Sequence, residues 1–330
     1  MNTLASLLIA ASFLIKGTFN AEVTPTEAQP TPMPTSAPVA GDIDLTGYTL
    51  VFEENFDAVS VATTDVKGDA TWFFWPPYGP AGSFSFSHWS ADGTTLKSEN
   101  GVLLNTAWWD ASINDAGGRN WRSGCLSSMD KTRAGFGQRY GYFSARIKMP
   151  NAGRGAFPAF WLASSAGIPN AGAKGYEIDI MEYWGARPGE IAHTTHPWNA
   201  DGSQAGPPWE QGGFVSVSDP INTWHIYGCK VAPDYVCFYI DGVETRRTPT
   251  NNDYLHDPLY ILVDYALGGG YPIDGDPFAS HGPSSLLVDW VRAYSLPSSV
   301  VIPPVPGVSL ANPGFEEDGA SVQEVGGWGE

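Results

Sequence analysis

From about residue 45 to residue 295 the apolar residues fall in short runs that alternate with polar ones, and Gly, Pro, Asn and Asp cut the runs apart. The runs are rich in Val, Ile, Tyr and Phe, side chains that suit a pleated, half-buried surface. Pro233-Asp234 and Asp241-Gly242 are typical of the breaks, and both are turn formers. No long helix is visible past the N-terminus, and no segment repeats. The pattern predicts an all-β sandwich, in one domain large enough to bury a sizeable core.

One run departs from simple alternation. Glu177-Ile178-Asp179-Ile180 reads as a strand of period two, which puts Glu177 and Asp179 on one face. Glu182 lies five positions from Glu177, so strict alternation would turn it to the opposite face. One extra residue at Ile180-Met181, a β-bulge, returns it to the face of the other two. Three acids sharing a face repel one another, and folding does not ask for them. They suit glycoside hydrolysis with retention, in which two carboxyls about 5–5.5 Å apart flank the scissile bond. Asp179 between the two Glu residues would keep one ionised and the other protonated. The alternative is an acidic edge strand facing solvent.

Composition agrees with an exported β-protein: 38 Gly, 27 Pro and 13% aromatics, but only 16% charged residues. Residues 4–15 form an apolar run too short to span a bilayer comfortably, followed by small residues near Ala21, as in a secretory signal peptide. Residues 1–21 are therefore expected to be a signal peptide and 22–42 a Pro/Thr-rich linker. The main domain is expected at 43–297, and a second Pro-rich linker at 298–308. No other stretch is apolar enough for a membrane span. The net charge of −18 excludes general nucleic-acid affinity and disfavours heavily sulfated polysaccharides unless Arg gathers at a cleft, for which Arg122 is one candidate. Cys125, Cys229 and Cys237 are an odd number. Cys229 and Cys237 flank a turn, but the alternation puts them on opposite faces, so all three are expected to be free thiols.

The ordered motifs resemble glycoside hydrolase family 16, the laminarinase-like retaining endo-glycanases. They are Leu50 to Asp57, Ser123 to Ser128, Tyr140 to Pro150 and Phe157 to Leu162. The acid strand, Trp224 to Gly242 and Val288 to Tyr294 complete the set. The resemblance implies a concanavalin/lectin-like jelly-roll sandwich with a concave substrate cleft. By match to the motif it makes Glu177 the nucleophile, Asp179 its helper and Glu182 the acid/base. His196 matches a cleft histidine near the acid/base, while His193 is expected to be structural. No cofactor is required for catalysis, but Asp289 matches the side-chain ligand of a structural calcium on the convex side. Phe157, Cys125 and Tyr271 depart from the usual pattern near the cleft, which leaves substrate preference open. Residues 309–330 are similar to the first strand of a carbohydrate-binding module, here truncated; a short disordered tail is the alternative.

Sugar rings stack on aromatic faces, and the candidates are Trp108, Trp109, Trp121, Trp161, Trp184, Trp198 and Trp209. About half of these are expected to be core. Trp161 and Trp184 have the better claim by position, with Trp121 and Arg122 in support. A metal held by His193 and His196 lacks a third ligand at convincing spacing. The reading is a secreted, monomeric endo-hydrolase of β-1,3 or mixed β-1,3/1,4-glucan whose partner is the polysaccharide. An endo-β-galactan hydrolase and a catalytically silent carbohydrate-binding protein remain as alternatives.

Overall fold

The structure is a computed structural model, and it describes residues 41–64, 66–77, 87–113, 120–167, 173–206, 212–268 and 283–300. The signal peptide, most of the first linker, Trp209, Tyr271 and the C-terminal module fragment lie outside the described residues. Ten strands form one sheet, in the order β16 (Val243–Pro249), β15 (Tyr235–Ile240), β14 (His225–Val231), β9 (Gly141–Lys148), β18 (Ser284–Ser295), β6 (Val102–Trp109), β7 (Trp121–Ser123) and β4 (Ser87–Trp89). Off that path, β1 (Thr49–Glu54) pairs with β18 and β5 (Leu96–Glu99) with β6. The second sheet runs β13 (Gly212–Ser216), β12 (Glu190–Trp198), β11 (Gly175–Tyr183), β10 (Ala156–Ser164), β17 (Leu259–Leu267), β8 (Cys125–Ser127), β3 (Trp72–Phe73) and β2 (Val61–Ala62). Neighbours are antiparallel apart from β2–β3 and β4–β7. Among the described residues the one helical element is a 3-10 turn at Ser165–Gly167.

The alternation read from the sequence is what joins the sheets. Phe143, Ala145 and Ile147 of β9 and Val288, Val291 and Ala293 of β18 enter one core with Phe160 and Leu162 of β10 and Ile261, Val263 and Tyr265 of β17. The β14–β15 hairpin sends Tyr227, Cys229, Val231, Val236, Phe238 and Ile240 into that core. Cys237 is therefore on the far face from Cys229, and all three thiols are free and buried. Asp241 and Gly242 close the next hairpin with φ of 50° and 75°, the left-handed pair that matches strand twist. A Cβ on Gly242 would also come within 2.8 Å of the Asp42 carbonyl. Asp42 itself, assigned to the linker by composition, is anchored: its carboxylate accepts hydrogen bonds from the Tyr142 and Ser144 hydroxyls. The folded part thus takes in Gly41 and Asp42.

Candidate active site

Strand β11 carries the expected bulge. Asp179 pairs with Thr194 and Glu182 with Ala192, so three steps on β11 match two on β12. On the other side Met181 pairs with Phe160 and Asp179 with Trp161, which is two steps against one. The extra residue sends both Ile180 and Met181 into the core, beside Tyr176, Ile178 and Tyr183. Glu177, Asp179 and Glu182 are left together on the opposite face, as a bulge can arrange.

Directly opposed residues share a face, so the pairings lay out the floor of the site in rows. Glu177 is flanked by Ala163 and His196, Asp179 by Trp161 and Thr194, and Glu182 by Ala159 and Ala192. Alanine beside each Glu leaves room over the floor for a substrate. On β17, Tyr260, Leu262 and Asp264 continue the three rows.

The acids are held by neutral donors and one imidazole. The Trp198 indole N–H donates to Glu177 at 3.0 Å, and the Thr194 hydroxyl donates to Glu182 at 3.4 Å. The Gln204 amide donates to His196 Nδ1 at 2.8 Å, which leaves the ring proton on Nε2, 2.9 Å from Asp179 Oδ2. His196 also stacks on Trp198. Burial, reinforced by the charge of Asp179, pushes the Glu177 carboxyl up to about 8, against the pull of His196 and Trp198. Burial is also the first cause that raises Asp179, to about 8, and the charge of Asp264 is the second. Glu182 rises well above the carboxylate range, through burial and then Asp179. Ligand atoms of Glu177, Asp179 and His196 lie within 4.8 Å of one another, close enough to converge on one ion. The raised carboxyls instead make the site a place where protons are kept and passed on.

His193, by contrast, faces the core. Its Nδ1 bonds the Ile180 carbonyl at 2.6 Å, its Nε2 the Thr245 hydroxyl at 2.9 Å, and its ring stacks on Phe238. Trp161 is half-buried on the acid face and donates its indole N–H to Asp264 at 2.6 Å. Trp184 stands edge-on between Phe157 and Phe214. Trp121 is misassigned as a sugar platform: it is 2% exposed within the core, and Trp109, 49% exposed, covers it edge-on. Arg122 is engaged by Asp110 at 2.6 Å and lies over Trp108. Asp289 pairs with Arg146 at 2.5 Å on the other sheet and belongs to no cluster of acids among the described residues. Calcium takes six to eight oxygens, and a carboxylate already held by a guanidinium does not fit that role.

Asp264 is the residue of this site that the sequence reading missed. The signal was a lone acid inside the apolar strand Leu259–Leu267. Trp198, reached as a sugar-stacking residue, instead bonds the Glu177 carboxylate.

Comparison with known proteins adds to this geometry. The chain is 33% identical over 241 residues to endo-1,3-1,4-beta-glycanase EglC of Rhizobium meliloti, an alignment covering 71% of this chain and 45% of that protein. It thus spans less than half the length of that relative. It is 27% identical over 240 residues to the kappa-carrageenase of Pseudoalteromonas carrageenovora, covering 64% of this chain and 58% of that one. The X-ray structure of the laminarinase from Rhodothermus marinus superposes with a TM-score of 0.58 at 24% identity, over 75% of this chain and 97% of that one. It shares the sandwich fold. Residues 85–286 match the model for glycosyl hydrolases family 16, and the chain belongs to that family.

Proposed function

We propose that this chain is a secreted endo-hydrolase of β-1,3 or mixed β-1,3/1,4-glucan that acts with retention of configuration. The bulge at Ile180-Met181 carries the reading, because it brings Glu182 to the face of Glu177 and Asp179. In the first step Glu177 attacks the anomeric carbon while Glu182 gives its proton to the leaving glycosidic oxygen. In the second, Glu182 takes a proton from water, and that water displaces Glu177 from the sugar. Burial and then the charge of Asp179 raise Glu182 well above the carboxylate range, which suits the residue that keeps a proton to donate. The Trp198 hydrogen bond favours the ionised form of Glu177, which a nucleophile needs. Asp179, beside His196, balances charge between them.

The substrate class is supported by the Rhizobium relative, a glycanase by name, and by the chain's own charge of −18, which repels polyanions. The apolar run at 4–15 supports export. The carrageenase relative favours a second reading, a β-galactan hydrolase. Laminarin and mixed-linkage glucan should be cut to short oligosaccharides while agarose and carrageenan stay intact. Early NMR spectra of the product should show the retained anomer. Cleavage of a galactan with none of either glucan gives the assignment to the second reading, and an inverted first product removes the mechanism.

A further inference from the structure

Asp264 is the acid on the cleft face to which the mechanism above gives no task. It sits in the middle of β17, 5% exposed, with Cys125 in register on one side and Ala159 on the other. Past Ala159, the next residue in the same row is Glu182. The two oxygens of Asp264 have separate partners: Oδ1 accepts from the Trp161 indole at 2.6 Å and Oδ2 from the Ala266 amide at 3.0 Å. Both donors are neutral, so an asparagine carbonyl could accept one of them at no cost in charge. A buried carboxylate is a costly way to satisfy two neutral donors.

Trp161 gives the position a use. Its backbone is paired with Asp179, one row away, so its indole leans across the floor to reach Asp264. Its ring also packs on the small cluster of Cys125, Met129, Ala163, Tyr260 and Leu262. An indole fixed at its N–H and along one side keeps a single plane, which a flat stacking partner needs.

The geometry points to Asp264 as a positioning residue of the cleft: its hydrogen bond sets the plane of the Trp161 indole for a stacked sugar ring, and its negative charge acts on the neighbouring acids of β11. This rests on the hydrolase reading of the site. The titratable groups on its side of the sheet are Glu177, Asp179 and Glu182 on β11, His196 on β12, Cys125 on β8 and Tyr260 on β17. Burial pushes Asp264 itself up to about 7, so its charge develops in the neutral range. There it adds to the burial that raises Asp179 and, more weakly, Glu177.

The test separates the bond from the charge. Asp264→Asn keeps an acceptor and removes the charge, Asp264→Leu removes both, and Trp161→Phe removes the donor. Each is assayed for kcat and KM from pH 4 to 9 on the polysaccharide that the unaltered protein cleaves. Asn should move the alkaline limb of the pH–rate profile to lower pH by about half a unit or more, with KM nearly unchanged. Leu should raise KM by roughly threefold to tenfold. Phe should do the same, and the Leu/Phe double variant should be no worse than the more affected single one, since both remove one contact. Circular dichroism checks folding; if Leu does not fold, Phe supplies the KM arm. An alkaline limb that Asn leaves in place, or a KM that the folded variants leave unchanged, overturns the proposal. Hydrolysis by Glu177→Gln at the unaltered rate would instead overturn the hydrolase reading, which keeps the two failures apart.

Discussion

On β11, Tyr176, Ile178, Ile180, Met181 and Tyr183 turn to the core, while Glu177, Asp179 and Glu182 turn to the cleft. On β12 the same division falls between two histidines three residues apart. His193 is sealed between Phe238 and a backbone carbonyl, and burial pushes its imidazole down to about 4. His196 lies against Asp179 and Trp198. The core face meets every polar atom of His193 with a neutral partner and so keeps it uncharged. The cleft face does the reverse, crowding carboxyls in a place where few donors meet them. One face is arranged for stability and the other holds charge at a cost to it. A single sheet serves both only because the bulge keeps the two sets of side chains apart.

Removing the bulge tests this division most directly. Deleting Met181 restores strict alternation, so Glu182 stands four positions from Glu177 and keeps the cleft face, while the core loses one buried side chain. Losing that side chain costs about 2–5 kcal/mol. Urea denaturation should show that loss, and kcat should fall by about a hundredfold because the spacing of the two carboxyls changes. A deletion variant with unaltered kcat would mean that the bulge does not set the spacing of the acids.

Neighbouring substitutions sharpen the contrast at smaller scale. Glu177→Gln should lower kcat by several orders of magnitude, at least about a thousandfold, while urea denaturation at neutral pH shows equal or greater stability. Ile178→Ala, the next residue, should lose about 2–5 kcal/mol in the same denaturation experiment and leave kcat nearly intact in the cold. If both variants lost activity and stability together, the faces would not be independent.

The smallest effect is on pH. Glu177 and Asp179 are raised to about 8 and Asp264 to about 7, above their unfolded values. Between about pH 5 and 8 the native state therefore holds more protons than the unfolded chain, and stability falls as pH rises through that window. His193 acts in the opposite sense, since its lowered affinity costs stability only as pH drops from about 6.5 towards 4. Urea midpoints measured from pH 5 to 8 should decline, and Asp179→Asn should flatten the decline. A rising midpoint over that range would contradict the picture of crowded, buried acids.

The bulge was legible because Ile180 and Met181 are two consecutive apolar residues inside a period-two strand, a local break with one local remedy. The free thiols were legible for the same reason, from alternation along β14 and β15. Trp121 was not, because alternation says that a residue faces one side or the other without saying which side is solvent. The Asp110–Arg122 and Arg146–Asp289 pairs join residues on different strands or loops, and register between strands is not written locally. Asp264 was visible only as an oddity, since its partner Trp161 is 103 positions away.

The three buried thiols have a use outside the cleft. Burial raises the proton affinity of Cys125 and Cys229 well above that of a free thiol, and lifts Cys237 to about 11, so none offers thiolate at neutral pH. The chain needs no oxidant to reach its native form, and folds alike in reducing and oxidising surroundings. Cys229 lies between the sheets, so its labelling by a thiol reagent must wait for them to part. It is thus an internal clock of sheet separation, while Cys125, in register with Asp264, reports on the strand beside the acids and Cys237 on the outer face of the far hairpin.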